Sequence, residues 1–183
     1  AKFDLYNGES DEEIYVPELV EYLKSNNILE ESQGALVINI KEDDDKVEIP
    51  PMLIIKSDGG ILYSTAELAT IYERVKNYHP DEIWYVVDKR QSLHFVQAFR
   101  AAKKAKIVDD NTNLYFAGFG TMNGSDGKPF KTRDGGVMKL LDLLEMVKSE
   151  SLRRLNPSIL DGREEIAEKI AMSAIKFADL LPN

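Results

Sequence analysis

The stretch that decides the fold is EIWYVVDKRQSLHFVQAFRAAKKAKIVDDNTNLYFAGF, at residues 82–119. Residues 82–87 form a short apolar run that predicts a buried strand, and residues 114–119 predict a second strand. Between them, residues 92–105 carry apolar side chains at helical spacing and predict an amphipathic helix. Because a strand, a helix and a strand in succession are typical of a parallel βαβ unit, this stretch predicts an α/β fold.

Apolar residues at helical spacing also flank this unit on both sides. They predict four further helices, at residues 16–29, 65–78, 137–155 and 162–181. Pro17 falls in the first turn of the earliest helix, where proline is well tolerated. The last two helices have no apolar strand between them, so they are predicted to trail the sheet.

Extended segments precede the βαβ unit. The apolar runs at residues 35–41 and 52–56 predict strands, and residues 61–64 are predicted to continue extended after a turn at residues 57–60. Three adjacent aspartates, at residues 43–45, lie between the first two runs and are predicted to form a hairpin tip. A solvated turn suits such a triplet better than a metal site does.

The composition narrows the possible functions. The chain has 183 residues, of which 43% are hydrophobic and 30% charged, as is ordinary for a soluble globular protein. Its net charge of -9 argues against a general nucleic-acid binder, because phosphate contacts need a basic face, and DNA is not expected as a partner. Lys103, Lys104 and Lys106 nevertheless cluster locally. No run approaches the ~18 apolar residues of a membrane span, so a membrane partner is not expected. The absence of cysteine fits a cytoplasmic protein, and two histidines are too few for the usual metal clusters.

A glycine-rich stretch, GFGTMNGSDGKPFKTRDGG at residues 118–136, follows the second strand of the unit. It holds six of the chain's 11 glycines, together with Lys128, Lys131 and Arg133. Glycines permit backbone conformations that other residues resist, and cations on such a loop suit a polyphosphate. A solvated surface loop explains the same composition, since glycine, aspartate and asparagine also mark ordinary turns. Ligands bind at the carboxyl ends of the strands in α/β sheets, where this loop and residues 88–91 are expected.

Several segments, taken in order, resemble one enzyme family. They are FDLYNGES (3–10), SDGGILYSTAELA (57–69), IWYVVDKRQSLHF (83–95), FAGFGTMNGSDGKPFKTRDGG (116–136), VMKLLDLLEM (137–146) and EEIAEKIAMSAIKFADL (164–180). The ordered set resembles arginyl-tRNA synthetase, a class I synthetase, over nearly the whole chain. The resemblance implies a Rossmann-like parallel sheet from the second half of the catalytic domain, with a small α+β insertion at the N-terminus and trailing helices.

The resemblance implies that arginine is activated with ATP, accompanied by Mg2+, to arginyl adenylate and is then transferred to tRNA(Arg). GKPFKTR takes the place of the family's KMSKS-type loop, and Lys131 is the best single choice because it adjoins a threonine in the tightest part of the loop. The residues expected at the ATP phosphates are Lys128, Lys131, Thr132 and Arg133. Those expected near the adenosine are His94, Phe119, Gly120 and Met122. For His94 a purely structural role is the commoner one near a helix start.

A pocket for arginine must satisfy a planar cation with five donors, so it needs carboxylates and amide oxygens. The resemblance assigns this role to Glu9, Tyr63, Glu67 and Gln91. Glu67 departs from the family pattern, which has an aspartate there, so the charge is kept and one methylene is added. Tyr63 at a strand end and Glu67 one helical turn later are expected to share a face. Taken singly, Tyr63, Glu67 and Gln91 also suit a core aromatic, an exposed helix acid and a helix-entry residue.

The chain lacks the HIGH-type motif of class I synthetases, since neither His79 nor His94 has a second histidine two or three residues away. We therefore expect a fragment, in which residues 1–50 belong to the connecting insertion and residues 51–150 to the catalytic domain. Residues 151–183 would lead to the anticodon-binding domain. Such a fragment is not expected to activate arginine alone, because the transition state needs both halves of the site. A non-catalytic module for arginine or ATP, and a fragment of another class I synthetase, are the alternatives.

Overall fold

The computed structural model describes residues 2–120, 139–158 and 161–180. The chain forms two units, one made of residues 1–85 and 90–117, the other of residues 86–89 and 118–183. Among the described helices, none combines the length and the apolarity that crossing a bilayer requires.

The first unit begins with two helices. The short helix α1 spans Glu9–Glu12, and α2 spans Val16–Ser25 after a 3-10 turn. Pro17 lies in the first turn of α2, as predicted. The predicted extension of this helix to residue 29 is wrong, because Asn27 takes the left-handed conformation (φ 54°) and the helix ends before it.

A three-stranded antiparallel sheet follows α2. Its strands, in spatial order, are β1 (Glu30–Ser32), β2 (Ala35–Ile38) and β3 (Met52–Ile55). The last two confirm the predicted strands. A two-residue turn joins β1 to β2, and Gln33 and Gly34 both have positive φ there (52° and 78°), as the twist of a tight hairpin requires.

The acidic residues between β2 and β3 form a turn, as predicted. The Asp45 N–H donates to the Glu42 carbonyl (3.3 Å), and the Glu42 N–H donates to the Asp45 carboxylate (3.0 Å). Arg100 donates to both Asp45 carboxylate oxygens (2.8 and 2.7 Å) and lies 3.0 Å from Glu42. Glu42, Asp44 and Asp45 gather closely enough to suit a metal, but the Arg100 guanidinium already pairs with two of them, Glu42 and Asp45.

Helix α3 (Tyr63–Tyr78) packs on the antiparallel sheet. Two hydroxyls fix its first turn, because Ser64 donates to the Leu53 carbonyl (2.9 Å) and Thr65 to the Ile54 carbonyl (2.6 Å). The prediction of extended backbone over residues 61–64 is therefore wrong for its last two residues. With its first turn bonded to β3, α3 begins two residues earlier than predicted.

The predicted βαβ unit is present, and its two strands are parallel. Its elements are β4 (Glu82–Asp88), α4 (Ser92–Lys104) and β5 (Asn113–Phe119). The prediction that β4 is buried is only half right, since its side chains alternate between the core and the surface. Tyr85 is buried, whereas Trp84 is exposed and stacks on Tyr115 with ring centroids 4.4 Å apart.

Aromatic rings on this unit form the centre of the core. Phe95 of α4 is almost fully buried, and its ring contacts those of Tyr85, Phe99 and Phe116 at centroid distances of 4.7, 5.7 and 5.6 Å. Aromatic pairs at such distances stabilise a core beyond the area that they bury. The cluster holds the start of α4 against β4, which positions the residues that follow β4.

The second unit is built around two helices. α5 spans Leu140–Arg154 and α6 spans Arg163–Leu180, and they pack against each other. The Arg163 guanidinium donates to the carbonyls of Asn156 (2.7 Å) and Leu152 (3.3 Å) at the turn between them. Within the described residues, both predicted trailing helices are confirmed.

Candidate functional site

The first two turns of α3 carry two of the predicted site residues. Tyr63 is the first residue of α3, and Glu67 follows one turn later on the same face. Tyr63 as a whole residue is 53% exposed, whereas the Glu67 side chain is only 11% exposed. Tyr63 is therefore open to solvent, whereas the Glu67 carboxylate lies deeper in the protein.

The first turn of α4 brings His94 to the same place. Its Nε2 atom lies 3.8 Å from the Glu67 carboxylate, which is too long for a hydrogen bond. Its ring lies against that of Tyr63, with centroids 5.1 Å apart and planes inclined by 32°. The structure thus brings His94, which the resemblance assigns to the adenosine side, into contact with two residues assigned to arginine.

A fourth member of this group, Tyr85, was not among the predicted site residues. It points inward from β4, is 6% exposed and rests on Phe95. The guanidinium carbon of Arg74 lies 5.1 Å from the centroid of its ring. Burial raises the pKa of the Tyr85 hydroxyl, and Arg74 opposes the shift while Glu67 adds to it. Tyr85 therefore keeps its proton at neutral pH, and we call Tyr63, Glu67, Tyr85 and His94 the acid–aromatic cluster.

Two sequence signals could have found the missing residues. In a strand with one buried face, side chains alternate, so Tyr85 shares the buried face with Ile83. Arg74 follows Glu67 by seven residues, which places both on one stripe of α3. The prediction of a buried strand did not distinguish its two faces, so the alternation was missed.

Two other predicted arginine residues lie on neighbouring elements. Gln91 is exposed in the 3-10 turn that leads into α4, one turn before His94. Glu9 is the first residue of α1, and α1 packs against α3. The start of α1 is fixed by the Gly8 N–H, which donates to the Asp11 carboxylate (2.6 Å). The roles of Gln91 and Glu9 stay predictions.

Apart from His94, the residues predicted at ATP fall in other parts of the chain. Phe119 ends β5, and Gly120 follows it as a buried residue of the second unit. The others lie outside the described residues, and their roles stay predictions: Met122, Lys128, Lys131, Thr132 and Arg133.

The acid–aromatic cluster offers a defined chemistry. Glu67 supplies a carboxylate, while Tyr85 and His94 supply an oxygen and a nitrogen that can accept hydrogen bonds. The open Tyr63 ring supplies a flat surface beside them. A planar cation that donates several hydrogen bonds could stack on the Tyr63 ring and donate to these acceptors.

A parallel βαβ unit with polar residues following its first strand is the general arrangement of nucleotide-binding α/β proteins, the class that includes the class I tRNA synthetases. The chain belongs to the family described as tRNA synthetases class I (R), catalytic domain, whose model matches residues 1–183. The resemblance to arginyl-tRNA synthetase is thereby confirmed.

Known proteins similar to this chain include two arginine–tRNA ligases. That of Alkaliphilus oremlandii (strain OhILAs) is 51% identical over 97% of this chain and 31% of its own length. That of Agathobacter rectalis is 49% identical, again over 97% of this chain and 31% of its own length. The crystal structure of arginyl-tRNA synthetase from Plasmodium falciparum matches with a TM-score of 0.75 at 25% identity, covering 94% of this chain and 28% of that one. The chain thus spans about a third of the length of the ligases that it matches.

Proposed function

We propose that this chain is part of an arginine–tRNA ligase, in which it binds the arginine side chain and contributes to the ATP site. The ligase joins arginine to ATP as arginyl adenylate, releases pyrophosphate and transfers the arginyl group to tRNA(Arg). The family supports this reaction, and the acid–aromatic cluster supports the choice of substrate.

The position of Glu67 carries the proposal. Its carboxylate is almost buried, yet it lies beside the open Tyr63 ring and 3.8 Å from His94. A buried carboxylate is costly unless it is paired, and the guanidinium of arginine would pair with it through two parallel N–H donors. The Tyr63 ring would then cover one face of that planar group.

The remaining predicted residues complete the proposal. Glu9 and Gln91 would accept further hydrogen bonds from arginine. Phe119, Gly120 and Met122 would border the adenosine, and the glycine-rich loop would hold the phosphates with their Mg2+. We assign residues 1–50 to the connecting insertion, 51–150 to the catalytic domain and 151–183 to the junction with an anticodon-binding domain. Because the product serves translation, we place the ligase in the cytoplasm.

A chimera tests the proposed function. In the Alkaliphilus oremlandii ligase, the segment that matches this chain is exchanged for the chain itself. Arginine-dependent exchange of pyrophosphate into ATP is then measured. We expect a rate within about tenfold of the parent enzyme, and no exchange from this chain alone. A chimera that is folded by circular dichroism but activates a different amino acid, or none, would refute the proposal.

Substitution of Glu67 in the chimera tests the substrate assignment. Glu67→Gln should raise the KM for arginine by roughly 10- to 100-fold and leave the KM for ATP unchanged, because a charged hydrogen-bond acceptor is lost. Glu73→Gln is the matched control, since Glu73 is also buried on α3 but accepts a hydrogen bond from Asn77 (2.7 Å). Equal KM values for arginine in the two variants would count against the pocket.

Substitution of Lys131 tests the phosphate assignment. Lys131→Gln in the chimera should lower kcat by about 100-fold while the KM for arginine stays the same, because the lysine is proposed to meet charge that develops on the phosphates. Lys139→Gln, at an exposed position just before α5, is the control. A change in the KM for arginine alone would indicate that Lys131 acts at the arginine pocket and not at the phosphates.

A further inference from the structure

The segment before α1 holds an asparagine followed by a glycine, Asn7–Gly8. The sequence has one other such pair, Asn123–Gly124, which lies outside the described residues. Asn7 and Gly8 are both exposed and directly precede the helix that begins at Glu9. An asparagine before glycine is especially prone to deamidation, because glycine has no Cβ to hinder attack by its own nitrogen on the asparagine side chain.

Deamidation at this pair needs no reactant other than water. The Gly8 nitrogen loses its proton and attacks the Asn7 Cγ atom. The new N–C bond closes a cyclic succinimide, while the side-chain NH2 group takes up a proton and leaves as ammonia. Water then opens the ring at either carbonyl, which gives aspartate or isoaspartate. Both products add a negative charge, and isoaspartate also adds one methylene to the backbone before Gly8.

The structure restrains the nitrogen that this reaction needs. The Gly8 N–H donates to the Asp11 carboxylate (2.6 Å), and the Asp11 N–H donates back to the Gly8 carbonyl (3.0 Å). These two bonds form a capping box at the start of α1 and fix the direction of the N–H. An N–H that donates to a carboxylate makes a strong hydrogen bond and resists losing its proton. Cyclisation therefore requires the start of α1 to open first.

We infer that Asn7–Gly8 is a deamidation site that Asp11 protects, and that its modification displaces the segment leading into Glu9. The first part depends on the local geometry alone. The second part rests on the proposed function, in which Glu9 binds arginine. A methylene inserted before Gly8 shifts the following residue by about 1 Å, which is enough to weaken a contact that must be held within a fraction of an ångström.

The geometry at Gly8 supplies a variant that slows the reaction and keeps the fold. Gly8 has φ −106° and ψ 172°, which alanine adopts without strain, and a Cβ placed there comes no closer than 3.7 Å to the Asp11 carboxylate. Gly8→Ala therefore keeps the N–H and its hydrogen bond but adds the carbon that hinders cyclisation. Asp11→Glu is a second conservative variant, because glutamate at this position of a capping box accepts the same hydrogen bond.

The full chain is incubated at mildly alkaline pH, where the N–H loses its proton more readily, and deamidation is followed by peptide mapping with mass spectrometry. Asp11→Ala should raise the rate at Asn7 by about tenfold or more, because the charged acceptor is lost. Asp11→Glu should keep the rate of the unmodified chain, and Gly8→Ala should lower it. Ser10→Ala, at the exposed residue before Asp11, is the matched control. The rate at Asn123 is an internal reference that none of these variants should alter.

Hydrogen exchange gives a second measurement of the same protection. Exchange of the Gly8 amide proton requires the same opening and the same loss of the proton as cyclisation does. Its rate and the deamidation rate at Asn7 should therefore rise by the same factor in Asp11→Ala. The inference is overturned if Asn7 deamidates equally fast in the folded chain and in guanidinium chloride, or if Asp11→Ala leaves its rate unchanged. A Gly8 proton that exchanges as fast as an unprotected amide overturns it as well.

The consequence for arginine is measured in the chimera with the Alkaliphilus oremlandii ligase. Ion exchange separates the deamidated form by its added charge, and the peptide map locates the change at residue 7. The isoaspartate form should raise the KM for arginine by roughly 10- to 100-fold. Freshly prepared Asn7→Asp, which adds the charge but no methylene, should stay within about threefold of the unmodified chimera.

The two parts of the inference fail separately. Equal KM values for arginine in the isoaspartate and intact forms overturn the second part and leave the first. A chimera without arginine-dependent exchange refutes the proposed function and the second part with it, while the mass spectra still decide whether Asp11 protects Asn7.

Discussion

Helices α3 and α5 are nearly equal in length, at 16 and 15 residues, yet they are buried very differently. Leu68 and Ile71 of α3 are fully buried against the sheet and neighbouring helices. In α5, which is described throughout, no side chain is buried, and Leu141 is 72% exposed. Apolar residues at helical spacing predicted both helices equally well.

The difference shows what helical periodicity predicts. An apolar stripe predicts that a helix forms and which face seeks a partner, but burial depends on what the rest of the molecule places against that face. For α3 the partners are present, so the backbone that carries Tyr63 and Glu67 is packed against the sheet and the neighbouring helices. A binding pocket needs such packing, because its contacts must be kept within a fraction of an ångström.

Matched leucine substitutions should give the largest contrast between the helices. Leu68→Ala in α3 should lower the free energy of unfolding by about 2–5 kcal/mol, because it leaves a cavity in a packed core. Leu141→Ala in α5 should change it by less than about 0.5 kcal/mol. Urea unfolding followed by far-UV circular dichroism measures both, and Trp84 fluorescence reports on the first unit. Equal losses in the two variants would contradict the difference in burial.

Two hydroxyl groups should give a smaller contrast. The buried Thr65 hydroxyl leaves its own helix to bind the Ile54 carbonyl, whereas the Ser151 hydroxyl of α5 binds back to Val147 of the same helix (2.8 Å). Thr65→Val keeps the shape but leaves a carbonyl unpaired, and should cost about 1–3 kcal/mol. Ser151→Ala should stay within about 0.5 kcal/mol, since alanine favours a helix. A neutral Thr65→Val would show that the hydroxyl does not hold α3 on β3.

The sequence predicted the βαβ unit closely. The strand and helix limits of β4, α4 and β5 lie within one residue of the predicted ones, because each element has a clear apolar period. β1 was missed because its three side chains are all polar and exposed, so that only its pairing with β2 makes it a strand. The early start of α3 was missed for a similar reason, since the bonds from Ser64 and Thr65 to β3 are tertiary contacts.

The candidate site was predicted in part. Tyr63 and Glu67 were assigned through the family resemblance, and the structure places them one turn apart beside His94. Tyr85 was not predicted as a site residue, because a tyrosine in an apolar strand has the pattern of any core aromatic. Only its contacts with Glu67 and Arg74 mark it, and these are visible in three dimensions alone.

Two carboxylates with lowered pKa values should give the smallest contrast. Arg100 holds the pKa of Asp45 below its usual value, and Arg153 with Arg154 lowers that of Glu150 to about 2. In both cases the folded pKa lies below the unfolded one, so the stabilisation is complete above the unfolded pKa and is lost as the pH falls through the folded pKa. The Asp45 pair is largely shielded from water, whereas the Glu150 side chain and its arginines are exposed.

Added salt should separate these two carboxylates. Because ions screen exposed charges more than shielded ones, about 0.5 M sodium chloride should raise the pKa of Glu150 towards its ordinary value and leave that of Asp45 low. Carboxyl carbon shifts followed by nuclear magnetic resonance between acid and neutral pH measure both values. Arg100→Gln should then raise the Asp45 pKa at either salt concentration, whereas Arg153→Gln should raise the Glu150 pKa less, because Arg154 still donates to that carboxylate (2.6 Å). If salt raises both pKa values equally, the Asp45–Arg100 pair is as open to solvent as the Glu150 pairs on α5. The turn at residues 42–45 would then not stabilise the first unit.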